Sequence, residues 1–249
     1  MLGMKDSEKS RRVRDMFGAI AGRYDFLNHF LSANIDRRWR KICVSEISKR
    51  IAVPAPRILD VGCGTADLSL AFAGLGTVVG CDFCHPMLCI GAQKVLSRSL
   101  HQSVSLSGAD ALMLPFSDAS FDVVVSAFVL RNLSDIDRGL REMRRVLRPG
   151  GVMGFLEFGM PRRPFLAKLY RFYFLRILPT LGKLISGVDG PYGYLPASVQ
   201  SFPPVEELKL KVECAGFRNV EYRLLTAGIA VLLWGRTGSD PNPRTYAWS

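Results

Sequence analysis

A glycine-containing turn followed by an acidic residue about twenty positions later is the part of this chain best suited to chemistry. The segment 57–70, RILDVGCGTADLSL, reads as a β-branched and aliphatic strand, a turn with Gly62 and Gly64, and the start of a helix. A second apolar run, TVVGCD, ends at Asp82. Glycines at the end of a strand let the backbone approach a ligand closely, and an acidic side chain closing the next strand suits a ribose diol. The pair indicates an adenosine-binding crevice.

The residue at position 67 narrows the choice of ligand. A dinucleotide fingerprint would place a third glycine there, with a pyrophosphate on the helix N-terminus. This chain has Asp67, whose carboxylate would repel a pyrophosphate. We therefore infer an adenosine with a cationic amino-acid tail, which is S-adenosylmethionine. A tight strand-to-helix connection without a ligand is the alternative for this segment taken alone.

Polar and small residues recur where successive strands are predicted to end, which is the edge of an open α/β sheet that binds ligands. After the fourth strand, Arg131 and Asn132 stand where a methyl group would emerge. Any one of these residues could be a turn or cap residue, but their recurrence favours a binding role. The candidates for donor binding are Asp60, Gly62, Gly64, Thr65, Asp67, Asp82, Asp110, Ala111, Ser126 and Ala127.

The alternation of apolar patterns predicts an α/β fold with a mostly parallel, Rossmann-like sheet and helices on both faces. Seven strands are expected, and the last two, at about 218–225 and 228–235, should form a hairpin with one antiparallel strand in the sheet. A helical N-terminal extension covers 1–50, on the substrate side. The core covers 51–249 and contains an insertion at 161–204, in which a loop is expected at 186–196.

Composition limits the class and the surroundings of the protein. The chain has 249 residues and a formal net charge of +11, which attracts nucleic acid or an anionic bilayer surface. We find no apolar run of the roughly 20 residues that cross a bilayer and no secretory signal, so we expect a cytoplasmic location. The six cysteines read as reduced thiols, and the CxxC of Cys81 and Cys84 lacks a second ligand pair, so no metal is expected. The oligomeric state stays open.

The segment 161–185 is rich in aromatic and basic residues. Phe165, Leu169, Phe172 and Tyr173 repeat at helical spacing among several arginines and lysines. This pattern suits an amphipathic helix lying on anionic lipid at the inner face of the cytoplasmic membrane. An ordinary core-packing helix with solvated arginines fits it equally well.

Four blocks of the sequence resemble the ubiquinone/menaquinone biosynthesis C-methyltransferases, and the likeness spans nearly the whole chain. They are FGAIAGRYDFLNHFLSANIDRRW, LDVGCGTADLS, the run from ALMLPFSDAS to FLEFGMP, and YGYLPASVQSFPPVEELKLKVECAGF. The chain departs from the family pattern at several positions, with Asp36 for His, Val129 for Gly, Arg148 for Lys, Gly159 for Ser, Leu233 for His and Ala127 for a serine associated with cofactor contact. CGTADLS and the aromatic run resemble the menaquinone branch more than the ubiquinone branch.

The resemblance implies the class I S-adenosylmethionine-dependent fold and methyl transfer to a ring carbon of a polyprenylated quinol, most simply demethylmenaquinol. Catalysis would consist mainly of positioning and water exclusion, with a base only for the hydroxyl proton. The catalytic candidates are Arg131, Asn132, and Tyr24 and Asp25 from an N-terminal flap. Because an arginine is a poor base, we expect Arg131 to stabilise the quinolate electrostatically.

Three other functions compete with this one. A benzoquinol acceptor of the ubiquinone branch would need the same chemistry. An RNA or DNA methyltransferase would explain the positive charge, but the chain has neither an Asn-Pro-Pro-Tyr-like sequence after the fourth strand nor a Pro-Cys nucleophile. We therefore expect no nucleic-acid partner. A non-enzymatic adenosine-binding module would explain the departures from the family pattern.

Overall fold

A computed structural model describes residues 2–32, 34–173, 176 and 191–238. Two helices, α1 (Leu2–Leu31) and α2 (Ile35–Ser48), precede the first strand, as the sequence predicts for 1–50. The elements that follow are β1 (Arg57–Val61), α3 (Asp67–Phe72), β2 (Thr77–Asp82), α4 (His85–Ser97), β3 (Val104–Gly108), β4 (Phe121–Ala127), α5 (Ile136–Val146), β5 (Leu147–Phe158), α6 (Pro164–Phe172), α7 (Pro191–Gln200), α8 (Val205–Cys214), β6 (Phe217–Leu225) and β7 (Ala230–Thr237).

The strands of the described residues form one seven-stranded sheet in the order β3-β2-β1-β4-β5-β7-β6. The first five strands in the chain run parallel to one another, and β7 runs antiparallel to both β5 and β6. The predicted sheet and the predicted hairpin are both confirmed. The short connection Thr226–Gly228 closes the hairpin with three residues in left-handed backbone, at φ values of 46°, 57° and 99°.

The sheet has a topological switch point between β1 and β4. The chain leaves β1 toward β2 and β3 on one side, and later returns to add β4 and β5 on the other side. Helices that follow strands on opposite sides of such a point leave a crevice outside the carboxyl ends of the strands. The ends of β1 at Val61 and β4 at Ala127 therefore border the natural ligand site of this fold.

Consecutive residues of the central strands pack into two different cores, because side chains alternate across a sheet. Ile58 packs with Trp39, Ile47 and Phe72 on the face covered by α2 and α3. Leu59 belongs to the opposite core, whose members include Phe121, Leu140, Met143, Phe155 and Leu208 and which α5 and α8 cover. Both sheet faces are thus buried, which fixes the strand ends relative to one another.

The insertion differs from the prediction in one respect. The prediction of a loop at 186–196 is wrong from Pro191 onward, because α7 begins at that residue. Glycine and proline favour a turn in an isolated chain, but Pro196, Ser198 and Val199 are buried, and this packing outweighs the local preference. Residues 186–190 lie outside the described part of the chain. Each helix in the described ranges is too short or too polar to cross a bilayer.

Candidate active site

The predicted glycine turn is a left-handed turn of the backbone. Gly62 and Gly64 have φ values of 70° and 54°, and Ala66 follows with φ 67°. Left-handed backbone thus recurs at Ala66, one position before Asp67, where a dinucleotide fingerprint would have its third glycine. Amides of Gly62 and Cys63 both donate to the carbonyl of Cys81 at the end of β2, at 2.8 and 2.9 Å. These bonds bring the turn against the neighbouring strand.

Asp82 ties the end of β2 to this turn. Its Oδ2 accepts the N–H of Gly64 and its Oδ1 accepts the N–H of Cys84, both at 2.8 Å. Burial raises the pKa of this carboxyl, while the backbone N–H groups act in the opposite direction. Each oxygen retains a further lone pair, so the group can still accept hydrogen bonds from a diol.

Seven of the predicted residues line one crevice at the carboxyl edge of the sheet: Gly62, Gly64, Asp82, Asp110, Ala111, Ala127 and Asn132. Asp110 is held by accepting the N–H of Leu112 at 2.9 Å. The sequence analysis missed several other wall residues, among them Phe83, Met87, Phe128 and Val129. Phe83 could have been found, because it directly follows the acidic end of β2.

Helix α1 supplies part of the wall as well. Ser10 and Phe17 line the crevice, and the buried Ala21 of the same helix packs with Cys84 and Met87. The sequence analysis did not identify these wall residues, because their helical pattern shows only an apolar face and not which strand ends it covers. The N-terminal helix therefore contributes to the candidate site.

Other predicted donor residues lie behind the wall and are used in the protein's own hydrogen bonds. Ser126 donates to the carbonyl of Val61 at 2.8 Å within the sheet. Asp60 is 1% exposed and accepts from Ser69 at 2.6 Å, and burial raises its pKa to about 7. Its other oxygen, Oδ1, has no hydrogen-bond partner among the described residues. Asp60 thus places a titratable carboxyl directly under the glycine turn.

Asp67 and Thr65 belong to a polar network that joins four helices. Asp67 Oδ1 lies 2.7 Å from Lys94 Nζ, and its Oδ2 lies 3.9 Å from a guanidinium nitrogen of Arg40. Asp36 binds Arg40 at 2.5 Å. The carboxylate of Asp67 is therefore already paired with cations of the chain itself.

The segment after β4 carries the predicted acceptor-side residues. Arg131 is 8% exposed, and its Nη1 donates to the carbonyl of Phe128 and to Glu157 Oε2, the latter at 3.2 Å. Glu157 also accepts the N–H of Leu130 at 2.6 Å, and burial raises its pKa although Arg131 acts against this. Arg131 Nε is buried without a hydrogen-bond partner among the residues described. The guanidinium therefore holds the turn in place, and its Nε–H group is still able to donate a hydrogen bond.

Asn132 is oriented from two sides. Its Nδ2 donates to the carbonyl of Phe128 at 3.2 Å, and its Oδ1 accepts from the hydroxyl of Tyr194 of α7 at 3.2 Å. Phe128 itself has φ 64°, an unusual conformation for a bulky residue. Because strained backbone of this kind concentrates at functional sites, the 128–132 turn is a good candidate for the reacting edge of the crevice.

The two N-terminal candidates for catalysis, Tyr24 and Asp25, are not shown at the acceptor side. Asp25 does not reach the acceptor side, since its carboxylate binds Thr65 and Lys94. Tyr24 lies in α1, and its side chain is outside the described part of the structure.

Comparison with known proteins decides the family. The model of the ubiE/COQ5 methyltransferase family matches residues 4–237. The chain belongs to this family. The resemblance inferred from the sequence blocks is thereby confirmed, together with the enzyme class of S-adenosylmethionine-dependent methyltransferases.

Two curated relatives show how far the likeness extends. The ubiquinone/menaquinone biosynthesis C-methyltransferase UbiE of Geotalea daltonii is 42% identical over 235 residues, which cover 93% of this chain and 98% of the relative. The demethylmenaquinone methyltransferase of Thermus thermophilus is 47% identical over 221 residues, covering 87% and 97%. Among solved structures, a methyltransferase from Thermotoga maritima matches with a TM-score of 0.60 at 18% identity, covering 90% and 99%, which confirms the predicted fold class.

Proposed function

We propose that this enzyme transfers the methyl group of S-adenosylmethionine to a ring carbon of a polyprenylated quinol, with demethylmenaquinol as the acceptor. The observation that carries the proposal is that one crevice holds both sets of groups. Asp82 and the Gly62 turn line it on one side, and Asn132 and Val129 line it on the other. The relatives named above, one of them a demethylmenaquinone methyltransferase, supply the acceptor class.

On the donor side, the predicted residues suit each part of the molecule. The carboxylate of Asp82 would accept the ribose hydroxyls, and Asp110 and Ala111 would hold the adenine. The exposed face of Phe83 lies beside them in the crevice wall and offers an apolar surface to the ring. The left-handed backbone at Gly62 and Gly64 lets the remaining chain of the donor pass close to the turn.

On the acceptor side, the chemistry requires a quinol whose hydroxyl has lost its proton, so that the ring carbon can attack the methyl group in line. Asn132, held by Tyr194 and by the carbonyl of Phe128, would orient the hydroxyl oxygen. Arg131 would stabilise the negative oxygen electrostatically from within the 128–132 turn, where its Nε has no hydrogen-bond partner among the described residues. Tyr24 is kept as a further candidate for positioning the ring.

We propose that α6 brings the enzyme to the membrane in which such an acceptor dissolves. Phe165, Leu169 and Phe172 are 78%, 56% and 58% exposed, and they follow one another at helical spacing along one face. Lys168 and Arg171 are exposed on the same short helix, and Arg163 is exposed directly before it. An apolar face flanked by cations suits the surface of an anionic bilayer. As part of the same proposal, we place the protein in the cytoplasm, at the inner face of the cytoplasmic membrane.

Label transfer tests the proposed reaction. The protein is incubated with methyl-labelled S-adenosylmethionine and one of three acceptors: demethylmenaquinol in detergent, a prenylated benzoquinol in detergent, or total RNA. We expect label in menaquinol, and at least tenfold less with Asp82→Asn, which keeps the size of the side chain but removes its charge. Asp122→Asn, a carboxylate at the start of β4 that accepts from Arg57 N and Arg148, is the matched control.

The outcomes of the label-transfer assay distinguish the competing functions. Label in the benzoquinol alone would move the enzyme to the ubiquinone branch, and label in RNA alone would reject quinol methylation. Binding of the donor without transfer to any of the three acceptors would favour the non-enzymatic adenosine-binding module.

A further inference from the structure

The carboxylate of Asp25 in α1 binds Thr65 and Lys94 just beyond the glycine turn, and the proposed reaction does not explain these contacts. Its Oδ1 accepts from the hydroxyl of Thr65 at 2.5 Å, and its Oδ2 lies 2.6 Å from Lys94 Nζ. Lys94 also donates to Thr65 Oγ1 at 2.9 Å and to Asp67 at 2.7 Å. A hydroxyl and an ammonium thus hold the two oxygens of one carboxylate.

The hydroxyl of Thr65 and the ammonium of Lys94 lie close to the proposed ribose site, which suggests a role for them in binding the methyl donor. Asp82, the ribose candidate, accepts the N–H of Gly64, and Thr65 is the next residue of the turn. A donor with its ribose at Asp82 and its chain directed along the turn would carry its amino-acid end to Thr65. That end bears a carboxylate, which needs the same kind of donors that Asp25 now uses.

Lys94 is the cation best placed for this task. Arg40, the other cation in the network, is bound to Asp36 at 2.5 Å and lies 3.9 Å from Asp67. The side chains of Lys94 and Asp25 are 21% and 25% exposed, so solvent reaches the pair and the exchange of one carboxylate for another has a route.

We propose that Thr65 and Lys94 form the subsite for the carboxylate of the donor's amino-acid end, and that Asp25 of α1 occupies this subsite until the donor arrives. The proposal rests on the proposed use of S-adenosylmethionine and deepens it. The exchange leaves Lys94 with two carboxylate partners, because the carboxylate of the donor replaces that of Asp25 beside Asp67. Entry of the donor therefore displaces Asp25 and loosens the hold of α1 on the turn.

Calorimetric titration with two donors tests the subsite. One donor is S-adenosylmethionine, and the other is its decarboxylated form, which keeps the adenosine, the sulfonium and the amino group. We expect Lys94→Met to weaken binding of S-adenosylmethionine at least tenfold and binding of the decarboxylated donor less than threefold. Lys94→Arg should restore most of the difference. Lys49→Met, which removes an exposed lysine paired with Glu46, should change neither affinity.

Asp25→Ala tests the occupied state separately. Without the competing carboxylate, we expect S-adenosylmethionine to bind at least threefold more tightly and the decarboxylated donor to bind as before. Weaker or unchanged binding of S-adenosylmethionine would overturn the role of Asp25 as an occupant.

The two proposals fail in different ways. If the unmodified protein binds neither donor, the proposed function is rejected. If it binds both and Lys94→Met leaves their affinity ratio unchanged, only the subsite is rejected, because a merely structural lysine would affect both donors alike.

Discussion

At the scale of single residues, the contact between Gly62 and Val129 limits what the crevice tolerates. A Cβ on Gly62 would overlap both methyl groups of Val129, and φ there is +70°. Val129 therefore fills the space above the glycine turn. The turn therefore requires glycine for two independent reasons, backbone conformation and space.

We predict that Gly62→Ala lowers the free energy of unfolding by about 2–4 kcal/mol, from the left-handed backbone and the overlap together. Denaturant unfolding measures it. The double variant Gly62→Ala/Val129→Gly should recover about half of the loss. Gly74→Ala, where a Cβ meets nothing within 4 Å, is the control and should cost little. An equal loss in the single and double variants would show that the overlap contributes nothing.

Asp60 gives a second prediction at this scale, on pH. Burial raises its pKa to about 7, so in the free protein it is protonated below that value and ionised above it. The cationic end of the donor favours the ionised form, so binding should release a proton near neutral pH. We expect S-adenosylmethionine to bind about tenfold more weakly at pH 6 than at pH 8, from the fraction ionised.

In Asp60→Asn, this pH dependence should be absent, and any remainder reports titration of the donor or of Asp82, whose pKa burial also raises. Titration in two buffers of different ionisation enthalpy counts the released proton directly. A proton released equally by both proteins would assign the effect to another group.

At the scale of elements, α5 holds the connection between β3 and β4 that carries Asp110 and Ala111. Arg145 donates to the carbonyls of Leu114 and Phe116 at 2.9 and 2.7 Å and binds Glu142 and Asp118. One side chain thus binds three residues of the connection.

We predict that Arg145→Met lowers the free energy of unfolding by about 2 kcal/mol, because it leaves two carbonyls without their charged donor. It should also weaken donor binding several-fold. Arg141→Met, on the exposed side of the same helix, is the control. Thermal unfolding and calorimetry measure the two effects. Unchanged donor affinity in a destabilised protein would show that the connection does not depend on Arg145 for its shape at the crevice.

The elements also show how far the sequence alone reaches. The strands and the C-terminal hairpin could be predicted, because buried strands alternate with helical patterns and very few residues separate the last two strands. The start of α7 at Pro191 could not, because it depends on packing that a local pattern does not contain. The same limit applies to the site. Asp82 and the glycine turn are local signals, whereas the contact of Asp25 with Thr65 joins residues 40 positions apart.

At the scale of the whole molecule, the net charge of +11 and the exposed face of α6 should act together. We predict that the protein floats with vesicles containing anionic lipid, floats less at high salt because ions screen surface charge, and floats little with neutral vesicles. The triple variant Phe165→Ser/Leu169→Ser/Phe172→Ser keeps every charge and should lose most of the binding.

The control for that experiment is Leu96→Ser/Met113→Ser, which removes two exposed apolar side chains elsewhere on the surface. Equal flotation of the triple variant and the unmodified protein would assign the attraction to charge alone. Equal flotation with anionic and neutral vesicles would also contradict the proposal, because the protein would then bind through its apolar side chains alone.

The strand order has a consequence for how the protein is made. β7 is synthesised last among the seven strands but lies between β5 and β6, pairing with Val152–Phe158 on one side and with Phe217–Leu225 on the other. While a ribosome is still extending the chain before Ala230, the growing polypeptide has an unpaired edge on β5. Such an edge is open to association with other chains. Completion of the sheet must therefore wait for the final strand, however early the donor crevice takes shape.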